Sequence, residues 1–125
     1  MAHAELTTLA LEREGHEVRR AIDGPGLAEL LSDYDADVIV SEWMLGRSDG
    51  RAVLSRAAEV GRRRGRELPV VFMTGEDPGP VRAIVGGAVV TKPVRVDLLR
   101  EAVRRASSAG ATAGVAELTG SLRRQ

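Results

Sequence analysis

The chain has 125 residues, 43% of them apolar, and its 18 basic and 18 acidic side chains balance to a formal charge of zero. That composition suits one folded domain with a single core, and it excludes general disorder and a global field for nucleic acid or anionic membrane. Cysteine is absent, which excludes disulfides and thiolate metal sites; no apolar run approaches a membrane span and no basic-then-apolar leader is visible, so a cytoplasmic setting is expected.

Leu6, Leu9 and Ala10 recur at helical spacing and Gly15 follows as a C-cap, which predicts a helix over residues 3–14. "HEVRRAI" reads as a short strand. Asp23, with Pro25 just after it, opens a second helix that carries Leu27, Leu30 and Leu31 on one face. "DVIVS" is a continuous apolar run of the kind buried on both faces of a parallel sheet. From Arg51 to about Arg64, Val53, Leu54, Ala57, Ala58 and Val60 form the stripe of a third helix. "LPVVFMTG" is the next buried strand, "GEDPGP" a turn-rich loop, "VRAIV" at most a short helix, and "GAVVT" a strand ended by Pro93. Leu98, Leu99, Ala102, Val103 and Ala106 predict a last amphipathic helix over residues 97–107. The remainder, 108–125, is rich in Gly, Ala, Ser and Thr and reads as a C-terminal tail, linker plus a weak helix or strand, outside a domain of residues 1–107.

Alternating helices and strands argue for an α/β fold, a parallel sheet with helices on both faces. In that architecture functional residues gather at the carboxyl ends of the strands. Glu42, Thr74 and Lys92 each fall at such an end, and Lys92 is the single Lys beside 17 Arg. A carboxylate, a hydroxyl and an ammonium at one sheet edge are the parts for handling a phosphoryl group.

"DVIVSEWMLGRSDG", "LPVVFMTG" and "VVTKP" together resemble the receiver domain of two-component response regulators, and "LEREGHEV" followed by "AIDGPGLAELL" matches its stretch from first to second helix. The resemblance covers roughly residues 3–106 and implies a flavodoxin-like sandwich. It puts the family's phosphoacceptor Asp on Glu42, eight positions before Gly50, its hydroxyl on Thr74, its Lys on Lys92 before Pro93, and its magnesium-binding backbone carbonyl on Met44.

The chain also departs from the family's pattern. The first strand and the acidic pair after it are missing, so no metal and no cofactor are expected: Glu42 with one carbonyl is a poor magnesium site. Glu in place of Asp moves the carboxylate outward by one methylene and misaligns attack on a phosphodonor. It leaves a negative charge within reach of Lys92, a partial mimic of a phosphoryl group. Val89 stands at the switch-aromatic position, the segment from Thr74 to Lys92 is short, and Gly46 replaces a usual Pro. The lost strand belongs in the middle of the sheet. Direct pairing of its two neighbours, filling of the slot by "GVAELTG", or exchange between chains as a homodimer would each repair it, and direct pairing or an oligomer is favoured here. A longer natural chain is a further alternative.

His3 and His16 have no partner at metal-ligand spacing and read as surface or capping residues. Met44 and Met73 read as core filler or backbone-defined positions, and Trp43 as a partner contact or local packing. "GRRRGRE" clusters Arg where a helix C-terminus favours cations and lacks interleaved aromatics, so direct nucleic-acid binding is not expected. The sequence thus points to a receiver-like, phosphorylation-independent module for protein interaction and signalling, not an enzyme, with a signalling protein or histidine kinase as partner and no membrane association. The alternatives are a regulator phosphorylated by a histidine kinase, on another acid such as Asp37 or Asp49, and a small nucleic-acid binder using residues 62–66.

Overall fold

The computed structural model describes residues 3–86, 88–107 and 113–119. The first helix, α1 (His3–Arg13), ends at Gly15, whose φ of 94° suits glycine alone among common residues. Strand β1 (Glu17–Ala21) leads to α2 (Gly24–Asp33), where the Asp23 carboxylate accepts from the Gly26 N–H at 2.7 Å and Pro25 sits in the first turn. Strand β2 (Val38–Glu42) is buried along its whole length. A two-residue hairpin, β3 (Met44–Leu45) with β4 (Ser48–Asp49), then reverses the chain through Gly46 at φ 69°. Helix α3 (Arg51–Arg64) closes on Gly65 at φ 73°, within the bounds its apolar stripe predicts.

Strand β5 (Val70–Thr74) is followed by α4 (Pro78–Val85), β6 (Val89–Thr91) and α5 (Val96–Ala106). Helix α4 starts earlier than the sequence suggests, inside the turn-rich loop. Asp77 caps it by accepting from the Gly79 N–H at 3.0 Å, and Pro78 and Pro80 are harmless in a first turn.

The five main strands are all parallel, in the order β1-β7-β2-β5-β6, where β7 is Gly114–Leu118. This corrects two expectations. Strands β1 and β2, which the sequence reading favoured as direct neighbours, do not pair; the "GVAEL" segment lies between them, with Val18 and Val38 both opposite Val115. The sheet therefore continues past residue 107 into the stretch read as a tail. Residues 108–112 and 120–125, the rest of that stretch, and Gly87, the first residue of the predicted "GAVVT" strand, lie outside the described residues.

Alternation along the strands divides the interior in two. Ile39, Phe72, Val89 and Ala116 face α2, α3 and α4, packing with Leu27, Leu31, Val53, Val60 and Val81. Val38, Val40, Val71, Met73 and Val115 face the other way, against Leu11 of α1 and Leu99 and Val103 of α5. The helices thus cover both faces of the sheet and leave its carboxyl edge to Glu42, Thr74 and Lys92.

Candidate functional site

Glu42 ends β2 and is 3% exposed. The next residue holds the strand in line, because the Trp43 N–H donates to the Met73 carbonyl at 2.8 Å. Trp43 is itself buried, meeting Phe72 edge-on with ring centroids 5.1 Å apart, so local packing rather than a partner accounts for it. Gly50 of the Asp-Gly turn lies against both rings: a Cβ there would stand 2.3 Å from Phe72 Cε1 and 2.5 Å from Trp43 Cε3. Its φ is an ordinary −63°, so close approach, not backbone freedom, requires glycine. Met44 is partly exposed on the hairpin, and Met73 is core.

Two strands further on, Lys92 follows β6 and its backbone N–H donates to the Thr74 carbonyl at 2.8 Å. Its Nζ donates to Glu42 Oε1, in an ion pair whose carboxylate is buried while the lysine side chain is one-third exposed. The two residues that sequence reasoning paired are therefore in direct contact. Thr74 is buried at the same edge, but its hydroxyl accepts the Glu76 N–H at 3.0 Å and so shapes the loop after β5. Val89, which the resemblance put at the switch-aromatic position, is buried opposite Phe72 in the core.

On the other side of Glu42, the register Ser41 to Leu118 brings Thr119 opposite the carboxylate's residue; Thr119 is buried, and its N–H donates to Ala21 at 3.2 Å. The acid on this strand is Glu117, two positions deeper, opposite Val40 and wholly buried. Its carboxylate accepts from Thr7 Oγ1 at 2.8 Å and from Thr8 Oγ1, both on α1. Burial pushes the Glu117 carboxyl above its ordinary range; the Thr8 and Thr7 hydroxyls and the charge of Arg20 oppose that push, and the charge of Glu42 adds to it.

Magnesium requires near-octahedral oxygen ligands anchored by carboxylates. Here Glu42 is bonded to Lys92, Thr119 takes the facing position, and Glu117 is turned into α1. That donor set does not fit the ion, and among the described residues no three His, Asp or Glu gather at metal-binding spacing.

Of the other acids singled out, Asp49, just before the start of α3, accepts from the Arg51 N–H at 3.0 Å and pairs with the Arg51 guanidinium at 2.9 Å. Asp37 lies at the amino end of β2, the opposite edge from Lys92, where it accepts from the Gly114 N–H at 2.8 Å. The Arg cluster serves the same opposite edge. Arg64 donates to the carbonyls of Leu31, Tyr34 and Ala36, Arg66 pairs with Asp35 and Asp37, and Arg63 pairs with Glu59. His16 corrects the surface reading: it is 6% exposed, and its Nδ1 accepts from the Ala113 N–H at 2.8 Å, fastening the start of β7. The side chain of His3 lies outside the described residues. Sequence reasoning also missed Glu117, whose signal was an acid inside an otherwise apolar pentapeptide.

A family model described as the response regulator receiver domain matches residues 1–104, a stretch that ends before β7. The transcriptional regulatory protein AfsQ1 of Streptomyces coelicolor is 34% identical over 100 residues, covering 77% of this chain and 42% of that protein, so the chain spans less than half the length of this relative. Among solved structures, the receiver domain of NtrX from Brucella abortus superposes with a TM-score of 0.67 at 29% identity, over 85% of this chain and 90% of that one. The receiver domain of the Francisella response regulator 1452 gives 0.60 at 25% identity, over 82% and 83%. With its parallel five-stranded sheet, its helices on both faces and its lysine beside a strand-end carboxylate, the chain belongs to the response regulator receiver domain family.

Proposed function

We propose that this chain is a receiver module of two-component signalling that works without aspartyl phosphorylation, as a cytoplasmic protein-interaction module rather than an enzyme. Glu42 stands in for the phosphoacceptor, and Thr74 and Lys92 for the residues that hold the phosphoryl oxygens. The partly buried Glu42–Lys92 pair carries this reading, because it commits the lysine that would bind a phosphoryl group to a carboxylate already in the chain. One carboxylate supplies one charge where a phosphoryl group brings nearly two, so the edge rests in a single intermediate state. Val89 offers no ring to turn between positions and sits in the core. Regulation then falls to partner binding or abundance, the partner being another signalling protein or a histidine kinase.

A second reading, conventional phosphorylation by a histidine kinase, draws support from the retained Thr74 and Lys92 at the edge. Intact mass after incubation with acetyl phosphate and magnesium separates the two, run on the unmodified protein and on Glu42→Asp. The proposal expects no adduct on the unmodified chain, with an adduct confined to Glu42→Asp if the shorter acid restores alignment. An adduct of one phosphoryl group on the unmodified protein would refute it in favour of the second reading.

A further inference from the structure

The centre of the sheet is filled by a strand from late in the sequence, and the slot around it is selective at almost every position. At its start, His16 Nδ1 accepts from the Ala113 N–H and the Glu17 N–H donates to the Ala113 carbonyl at 3.0 Å. Asp37 grips Gly114 twice, its carboxylate accepting from the Gly114 N–H and its N–H donating to the Gly114 carbonyl, each at 2.8 Å. A Cβ at Gly114 would lie 2.6 Å from Tyr34 Oη, so that position admits only glycine unless the ring moves. Val115, Ala116 and Glu117 have no exposure and Leu118 has 1%, and Glu117 is held by two threonine hydroxyls of α1. The slot therefore selects a glycine, an aliphatic residue, a small residue, an acid and an aliphatic residue, in parallel register on both sides.

We propose that the gap between β1 and β2 is a sequence-reading strand site, which residues 113–119 fill within one chain and which accepts the same strand from a second copy. All the selecting side chains named, Thr7, Thr8, His16, Tyr34 and Asp37, belong to the body, and all the selected ones belong to the strand. Exchange between two copies therefore keeps each of these contacts and changes only the connection. The body has reason to accept a strand whenever its own leaves, because among the described residues β1 pairs with no other strand and β2 is left with one bare edge. In an exchanged pair the partner's strand would bring its threonine beside Glu42, so assembly would reach the candidate site whether or not that site is ever phosphorylated.

The test uses the full chain carrying Gly114→Leu, which sets its own strand against Tyr34. A synthetic peptide of residues 113–119, AGVAELT, should raise the melting temperature of this variant saturably, or restore its folded circular dichroism spectrum where the variant is unfolded, following mass action. The same peptide carrying Glu117→Lys should do neither. No response to the first peptide at millimolar concentration, or an equal response to both, would overturn the proposal. Independently, two mass-tagged preparations of the unmodified chain, brought into urea and refolded together, should give mixed dimers by native mass spectrometry in a fraction that rises with concentration. Monomers alone at every concentration would overturn it as well.

Discussion

Replacing Glu117 with Gln should stabilise the protein at neutral pH and leave it nearly unchanged in acid. The carboxyl is wholly buried and burial raises it above its ordinary range. A group whose folded-state value is raised contributes its stability fully below the unfolded carboxyl range and loses it as pH climbs through the folded value. Each pH unit across that interval removes about 1.4 kcal/mol. The ionised form keeps two threonine donors, worth about 1.5–3 kcal/mol each to a charged acceptor, against a burial cost of several kcal/mol. Gln retains the length and one acceptor, and the hydroxyls can turn to meet its amide. The net gain near pH 7 is then about 1–2 kcal/mol, or roughly 3–8 °C in melting temperature for a chain of this size. Urea unfolding of both proteins from pH 4 to pH 8 should show a stability gap that opens as pH rises through the carboxyl range and then levels off towards neutrality. A gap that stays constant over the whole range, or a Gln variant weaker at pH 7 than at pH 4 relative to its parent, would refute the reasoning.

Gly50→Ala drives a methyl into Phe72 and Trp43 and should cost about 1–3 kcal/mol, read from urea melts followed by emission of Trp43, the single tryptophan. Lys92→Met should cost about 1–3 kcal/mol, less than a fully buried pair would because the lysine is one-third exposed. In a Glu42→Leu background the same change should cost under about 1 kcal/mol, so a double-mutant cycle by chemical denaturation measures the pair directly.

The elements whose signals are local were readable in advance. Asp23 and Pro25 announce α2, the stripe from Val53 to Val60 announces α3, and the apolar runs ending at Glu42 and Thr74 mark two buried strands and two of the three edge residues. Strand ends put Glu42 and Lys92 at one edge of a parallel sheet, and the family resemblance brought the two within reach of each other. Filling of the slot by β7 is one of three repairs the sequence offers but not the favoured one, because Glu117 breaks its apolar run and flanking small residues imitate a linker; the threonines that make that acid tolerable lie 110 and 109 positions away. His16 reads as a surface or capping residue for a similar reason, its partner being a backbone amide 97 residues distant. The Arg64 clasp on three carbonyls, likewise, satisfies backbone groups that periodicity does not reveal.

The position of β7 also bears on how the molecule is made. Strands β1 and β2, which flank the central position, are translated long before the strand that joins them. At about 5–20 residues per second the ribosome takes several seconds to pass from β2 to β7. During that interval the nascent chain holds two sheet edges that are not partners in the finished sheet, while β2, β5 and β6 already have what they need to associate. Assembly should therefore proceed in two stages, a three-stranded half forming early and β1 being captured only when the last strand arrives. The long sequence separations of the final contacts make that second stage the slow one.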